Sequence, residues 1–368
     1  MFLLQGVFPK EISLGVFPKG ISQNVHEGGI NMLLQIGILL IGFLFLVKGA
    51  DWFVEGASSL ARKFGIPQLI IGLTIVAMGT SMPEAAVSIT AALHGNAGIT
   101  IGNIVGSNIL NILIILGLTA VITNVAIEKS TLYYEIPFMI GITIVLLAFV
   151  NNGGSASVTF VEGVIFLVLF ALYLGYLFVM ARKGEPQDSR LDSNLDQNPL
   201  SHDDVVISDI NEEVNEEAKE TSIWKCLLLI LIGGILVVKG SDFAVSGATE
   251  IARYAGMSER FIGLTIVAFG TSLPELVTSV TAARRGNAGI AIGNIVGSNI
   301  FNILFVIGLT ALICPVPVES KFVVDIVIAI VTGAILWLGT FKNRELRKPC
   351  GIVMLLCYVV YFIYLSVA

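Results

Sequence analysis

Two short segments set ionisable and hydroxyl side chains inside otherwise oily sequence. "VAMGTSMPEAAVS", Val76–Ser88, and "VAFGTSLPELVTS", Val267–Ser279, each hold a Gly-Thr-Ser triplet, a proline and a glutamate. Pro83 and Pro274 lack an N–H, so the carbonyls of Gly79 and Gly270 lose their helical partners. Carbonyl oxygen is thereby released beside Thr80, Ser81 and Glu84 in one segment, and beside Thr271, Ser272 and Glu275 in the other. Thr80 and Glu84 are four apart and share a helical face. An unpaired carbonyl or a carboxylate at membrane depth is costly and persists where protein or a wet cavity covers it. Two equivalent glutamates beside broken helices and hydroxyls argue against a merely structural pair. Carboxylate, carbonyl, hydroxyl and amide oxygens are the donors that Ca²⁺ takes, and Na⁺ accepts the same set. Two glutamates bring a charge of −2, which one Ca²⁺ neutralises and several Na⁺ approach or slightly exceed.

Each segment is followed by "GNIVGSNI", at Gly102–Ile109 and again at Gly293–Ile300. Gly102, Gly106, Gly293 and Gly297 suit close helix approach. The polar residues need another reason. Ser107 and Asn111 are four apart, as are Ser298 and Asn302, and these four are assigned to the same cation site. Asn103, Asn108, Asn294 and Asn299 fit either a ligand role or structural hydrogen bonding. Asp51 follows Lys48 by three residues and Asp242 follows Lys239 likewise, so an intrahelical ion pair is expected in each case, in preference to a gating role.

These segments must be positioned by membrane-spanning helices. Of 368 residues, 55% are hydrophobic and only 13% charged, and the mean hydropathy is +0.89. Apolar windows long enough to cross a bilayer recur at 33–60, 67–93, 99–122, 132–150, 157–181, 224–253, 258–283, 290–313, 322–341 and 349–367. The fold class is therefore an all-α polytopic membrane protein with ten transmembrane helices; open strands cannot span lipid, and barrel strands would alternate. The net charge of −6 reflects one loop, because twelve acidic residues lie between Glu185 and Glu220. Nothing resembles a nucleic-acid footprint. Cys226, Cys314, Cys350 and Cys357 form neither a disulfide framework nor zinc spacing, and His26, His94 and His202 are scattered.

The chain is written twice. At a constant offset of 191, residues 71–113 match 262–304 at 33 of 43 positions. Residues 32–181 and 223–368 are read as five-helix repeats, joined by an acidic linker over 182–222 and preceded by a disordered leader over 1–31, where "GVFPK" occurs twice. The linker lacks an EF-hand's spacing and reads as a solvated tether. Five spans per half force the copies to insert in opposite orientations, which is the inverted-topology repeat of many secondary transporters. With both termini outside, most basic residues flanking spans, from Arg62 and Lys63 to Arg347 and Lys348, fall on the cytoplasmic side, leaving Arg253, Arg260 and Lys321 outside. The linker is then cytoplasmic.

The doubled "GTSMPE"/"GTSLPE" with "GNIVGSNI" resembles the two alpha repeats of the calcium/cation antiporter superfamily, most closely its prokaryotic sodium/calcium exchanger branch, over essentially residues 32–368. The resemblance implies alternating access in a prokaryotic plasma (inner) membrane. It implies a metal site at Ala77, Thr80, Ser81, Glu84, Ser107, Asn111, Ala268, Thr271, Ser272, Glu275, Ser298 and Asn302, the alanines acting through backbone carbonyls. It also implies Ca²⁺ and Na⁺ as substrates, with no cofactor, no catalytic residue and no obligate protein partner. Many relatives carry Asp where this chain has Asn302, which argues against K⁺ co-transport. A calcium/proton exchanger is the alternative, although the extra acid usual in the "GN" segment is missing. An aspartyl protease built on Asp51 and Asp242 lacks the Gly-x-Gly-Asp setting, and a channel would not need inverted broken helices.

Overall fold

The computed structural model describes residues 25–93, 97–150, 157–183, 222–256 and 268–367. The expected linker thus falls outside the described residues except at its two ends, and the expected leader does so up to residue 24. From Val25 onward the leader is already helical, because the first helix begins there and not near Met32.

Among the described residues the helices are α1 (Val25–Phe64), α2 (Gln68–Thr80), α3 (Met82–Leu93), α4 (Thr100–Ile122), α5 (Thr131–Val150), α6 (Phe160–Lys183), α7 (Ile223–Tyr254), α8 (Leu273–Arg284), α9 (Ala288–Ile313), α10 (Ser320–Phe341) and α11 (Lys348–Val367). Eight helices are long and apolar enough to cross a bilayer singly, and α2 with α3 forms a ninth, bent by 48°. The window expected at 258–283 is described only from Ala268, as a short turn, Ala268–Gly270, followed by α8. α1 ends where Gly65 adopts φ +62, letting Ile66 N–H close on the Ala61 carbonyl before Pro67 forbids another turn.

α4 and α9 form the centre. Of their most apolar windows, 78% and 83% of residues are buried, against 17% for α1 and α11, whose Leu and Val side chains face outward. Both central helices widen into a π-helical turn, Asn111–Leu116 and Asn302–Ile307, each starting at an asparagine singled out from the sequence. Such turns recur at functional sites because they re-aim side chains within a helix.

Contacts between the halves are exchanged. Strand β1 (Val125–Ala126) pairs antiparallel with β4 (Glu345–Leu346), while β2 (Ser157–Val158) pairs with β3 (Val316–Pro317). β1 and β3 are 191 apart in sequence, so each copy of this strand pairs within the opposite half. Helices follow suit. A Cβ on Gly351 of α11 would lie 2.5 Å from the carbonyl oxygen of Gly117 in α4, and one on Gly163 of α6 would lie 2.8 Å from that of Gly308 in α9.

α1 and α7 cross the outside of this body as an antiparallel pair whose seam is glycine. Gly42, Gly49 and Gly56 of α1 and Gly233, Gly240 and Gly247 of α7 each touch backbone of the partner helix. A Cβ on Gly240 would sit 2.6 Å from Leu46 N, and one on Gly42 would sit 2.5 Å from Ala244 N. Small residues let backbones approach closely where lipid supplies no hydrophobic drive. Gly240→Val should therefore destabilise the fold by about 1–3 kcal/mol through overpacking. Gly37→Ala, a helical site with nothing within 4 Å, should leave the thermal midpoint of the detergent-purified protein no lower, since alanine is the better helix former. Equal midpoints for the two variants would contradict the tight seam.

Candidate functional site

Glu84 and Glu275 stand in the first turns of α3 and α8, directly after the two breaks, and are 1% and 0% exposed. The breaks thus set both carboxylates at helix N-termini, where N–H groups and the helix dipole favour negative charge. The hydroxyls before each break do not serve their own glutamate. Ser81 Oγ donates to Glu275 Oε1 at 2.8 Å, and Ser272 Oγ donates to Glu84 Oε1 at 3.2 Å. Thr80 lies within reach of the Glu275 carboxylate and Thr271 within reach of that of Glu84.

Asn103 and Asn294 brace the broken helices against α4 and α9. Asn103 Nδ2 donates to Ser88 Oγ at 3.0 Å and to the Glu84 carbonyl at 3.2 Å. Asn294 Nδ2 donates to Ser279 Oγ at 2.8 Å and to the Glu275 carbonyl at 3.4 Å, while its Oδ1 accepts Thr80 Oγ1 at 2.9 Å. Between α4 and α9, Asn111 Nδ2 donates to Asn299 Oδ1 at 2.9 Å, and Asn302 Nδ2 donates to Asn108 Oδ1 at 3.0 Å. On the two glutamates and these four asparagines, four oxygens remain buried without a hydrogen-bond partner: Oε2 of Glu84 and of Glu275, and Oδ1 of Asn111 and of Asn302. Buried acceptors in that state are the donor set a hard cation uses.

The remaining expected residues sit around this group. Ser298 Oγ donates to the Ala77 carbonyl at 3.4 Å; Ser107 is buried one turn before Asn111; Ala268 opens the turn before Thr271. Two expectations are corrected. The carbonyl that Pro274 releases at Gly270 is not free, because Ser241 Oγ of α7 donates to it at 2.7 Å. Lys239 does pair with Asp242, at 3.3 Å, but the ion pair formed by Asp51 is with Arg285 of the other half, at 2.9 Å, with Glu55 at 3.7 Å from the same guanidinium. Spacing within one helix could not show a partner 234 residues away. Sequence reading also passed over Glu135 and Asp325, buried on α5 and α10 and bound by the phenols of Tyr176 and Tyr361.

The family model described as sodium/calcium exchanger protein matches residues 34–179 and 225–367. The chain belongs to the sodium/calcium exchanger family. It is 33% identical over 348 residues to the sodium/calcium exchanger MaX1 of Methanosarcina acetivorans, covering 89% of this chain and 97% of that one. It is 35% identical over 311 residues to the inner membrane protein YrbG of Escherichia coli, covering 83% of this chain and 90% of that one. The solved structure of the sodium–calcium exchanger NCX_Mj superposes with a TM-score of 0.72 at 31% identity, covering 90% of this chain and 98% of that one. The protein is thus a cation antiporter of the exchanger type, in the prokaryotic branch.

The crossed serines give the exchanger a test that needs no ion. Ser81→Ala or Ser272→Ala removes one hydrogen bond to a buried carboxylate, which costs about 1–3 kcal/mol. Each variant should lower the thermal midpoint of the ion-free protein by a similar amount. A loss confined to one of them would show that the two bonds are not equivalent.

Proposed function

We propose that this exchanger moves Ca²⁺ and Na⁺ in opposite directions through one shared site, ligated by Thr80, Ser81, Glu84, Ser107, Asn111, Thr271, Ser272, Glu275, Ser298 and Asn302 with the carbonyls of Ala77 and Ala268. The observation that carries this reading is the set of four buried, unpartnered oxygens on Glu84, Glu275, Asn111 and Asn302. Oxygen-only ligation by two carboxylates and two amides suits Ca²⁺, and the −2 charge suits one divalent ion.

The architecture proposed with it is ten spans in two inverted five-helix repeats, 32–181 and 223–368, joined by a cytoplasmic 182–222 linker. Both termini then lie outside a prokaryotic plasma membrane. The exchanged strand and glycine contacts support the repeat arrangement, since each packing of one half recurs with the halves reversed. Alternating access follows if α1 and α7 slide across the body when the site is filled. Their glycine seam favours movement as a pair.

Glu84→Gln and Glu275→Gln keep side-chain volume and each remove one charge, so Na⁺-driven Ca²⁺ uptake into proteoliposomes should be nearly abolished at normal membrane expression. Flux at the unsubstituted level in either variant would overturn the site. Vesicles loaded with Na⁺ should take up Ca²⁺ on dilution into medium lacking Na⁺ and K⁺, and a proton gradient alone should drive little. Uptake that requires K⁺, or follows ΔpH without Na⁺ on either side, would place the coupling with K⁺ or H⁺ instead. A chain lacking 186–218, bridged by a short flexible segment, should still exchange; loss of flux after correct insertion would give the linker more than a tethering role.

A further inference from the structure

Neutral asparagines are ambiguous ligands. Their amide presents an oxygen on one side and two N–H donors on the other, and only the oxygen can meet a cation. Something must decide which way Asn111 and Asn302 face.

The structure contains a chain of forced choices that decides it. Asn108 Nδ2 stands 3.2 Å from the Asn299 backbone carbonyl, and Asn299 Nδ2 stands 3.1 Å from the Asn108 carbonyl. A backbone carbonyl only accepts, so each of these side chains must turn its nitrogen toward it. The Oδ1 of Asn108 is then directed at Asn302, and that of Asn299 at Asn111, at 3.0 and 2.9 Å. Those oxygens also only accept, so Asn302 and Asn111 must offer Nδ2. Their own Oδ1 atoms are left on the opposite side, buried and unpartnered. All four asparagines are at most 4% exposed, so water does not compete for these bonds.

We propose that Asn108 and Asn299 are positioning residues: their reciprocal amide-to-carbonyl clamp across α4 and α9 turns the side-chain oxygens of Asn302 and Asn111 toward the ion. This rests on the proposed site, and it separates two roles the "GSN" sequence leaves merged, since Ser107, Asn111, Ser298 and Asn302 serve the ion while Asn108 and Asn299 serve the ligands. Without the clamp an amide can rotate and donate its N–H to a free carboxylate oxygen of Glu84 or Glu275, and an arriving cation must break that bond.

The test is a double-substitution cycle on the full-length protein, with Ca²⁺ affinity measured by titration calorimetry beside Na⁺-driven uptake. Asn108→Leu keeps the branched shape and removes both polar contacts. It should weaken Ca²⁺ binding on the order of 10-fold, the effect of a competing hydrogen bond to a charged group. Asn302→Ala removes the amide that Asn108 turns, so nothing is left at that position for the clamp to orient. In that background Asn108→Leu should change Ca²⁺ affinity by no more than about twofold. Equal losses in both backgrounds would mean Asn108 acts by packing and would overturn the proposal. No loss in either would overturn it too. The ion-free thermal midpoint is followed in all four proteins, because a purely structural role would move that quantity alike in both backgrounds. Failure of the transport reading looks different: the unsubstituted protein would bind Ca²⁺ without Na⁺-driven uptake.

Discussion

A carboxylate in an apolar interior cannot be left to itself, and the two beside the helix breaks lean on the opposite half of the chain. One oxygen of each accepts from a serine there, Ser81 for Glu275 and Ser272 for Glu84. That exchange ties together most of what surrounds it. α3 and α8 must begin where their glutamates sit, so the preceding helices must break there. α9 must lie close enough to α2 for Thr80 to reach Asn294, which demands glycine at the crossing: a Cβ on Gly297 would come within 2.7 Å of the Leu73 carbonyl. Neither half can complete its own site.

The halves are nevertheless not copies in their dealings with the outer helix pair. α1 is held to the corner after α8 by Arg285 on Asp51 and Glu55, and by Asn287 donating to Ser58 at 2.9 Å. Asp51, Glu55 and Ser58 follow one face of α1, so this is a polar edge and not a single contact. Among the described residues α7 is held through Ser241 on the carbonyl released at Gly270, a contact α1 cannot copy because Ala50 occupies the corresponding place.

Much of this was legible in the sequence because it is local or repeated. The described spans follow from apolar length, the breaks from Pro83 and Pro274, and the doubling of the motif from an offset that never varies across it. What stayed hidden is what crosses between halves. Nothing in "KGAD" shows that Asp51 will meet Arg285, and nothing in "GTS" shows that a serine will serve the glutamate 194 residues away. Asn103 and Asn108 illustrate the limit, since both are amides on one helix beside the same motif. One braces Glu84 and Ser88 and the other clamps α9, and only the position of the partner helix separates them.

The exchanged strand pairs bear on how such a chain can be made. Val125 meets Leu346, so the corner after α4 has no mate until the chain has been synthesised as far as Leu346. Closing so long a loop adds little entropy beyond a shorter one, since the penalty grows only with the logarithm of length. Delay is the larger burden. Helices of the first half must wait in the bilayer with glycine faces such as that of Gly117 uncovered until α11 arrives. Assembly therefore resembles the docking of two preformed partners more than the stepwise growth of one body.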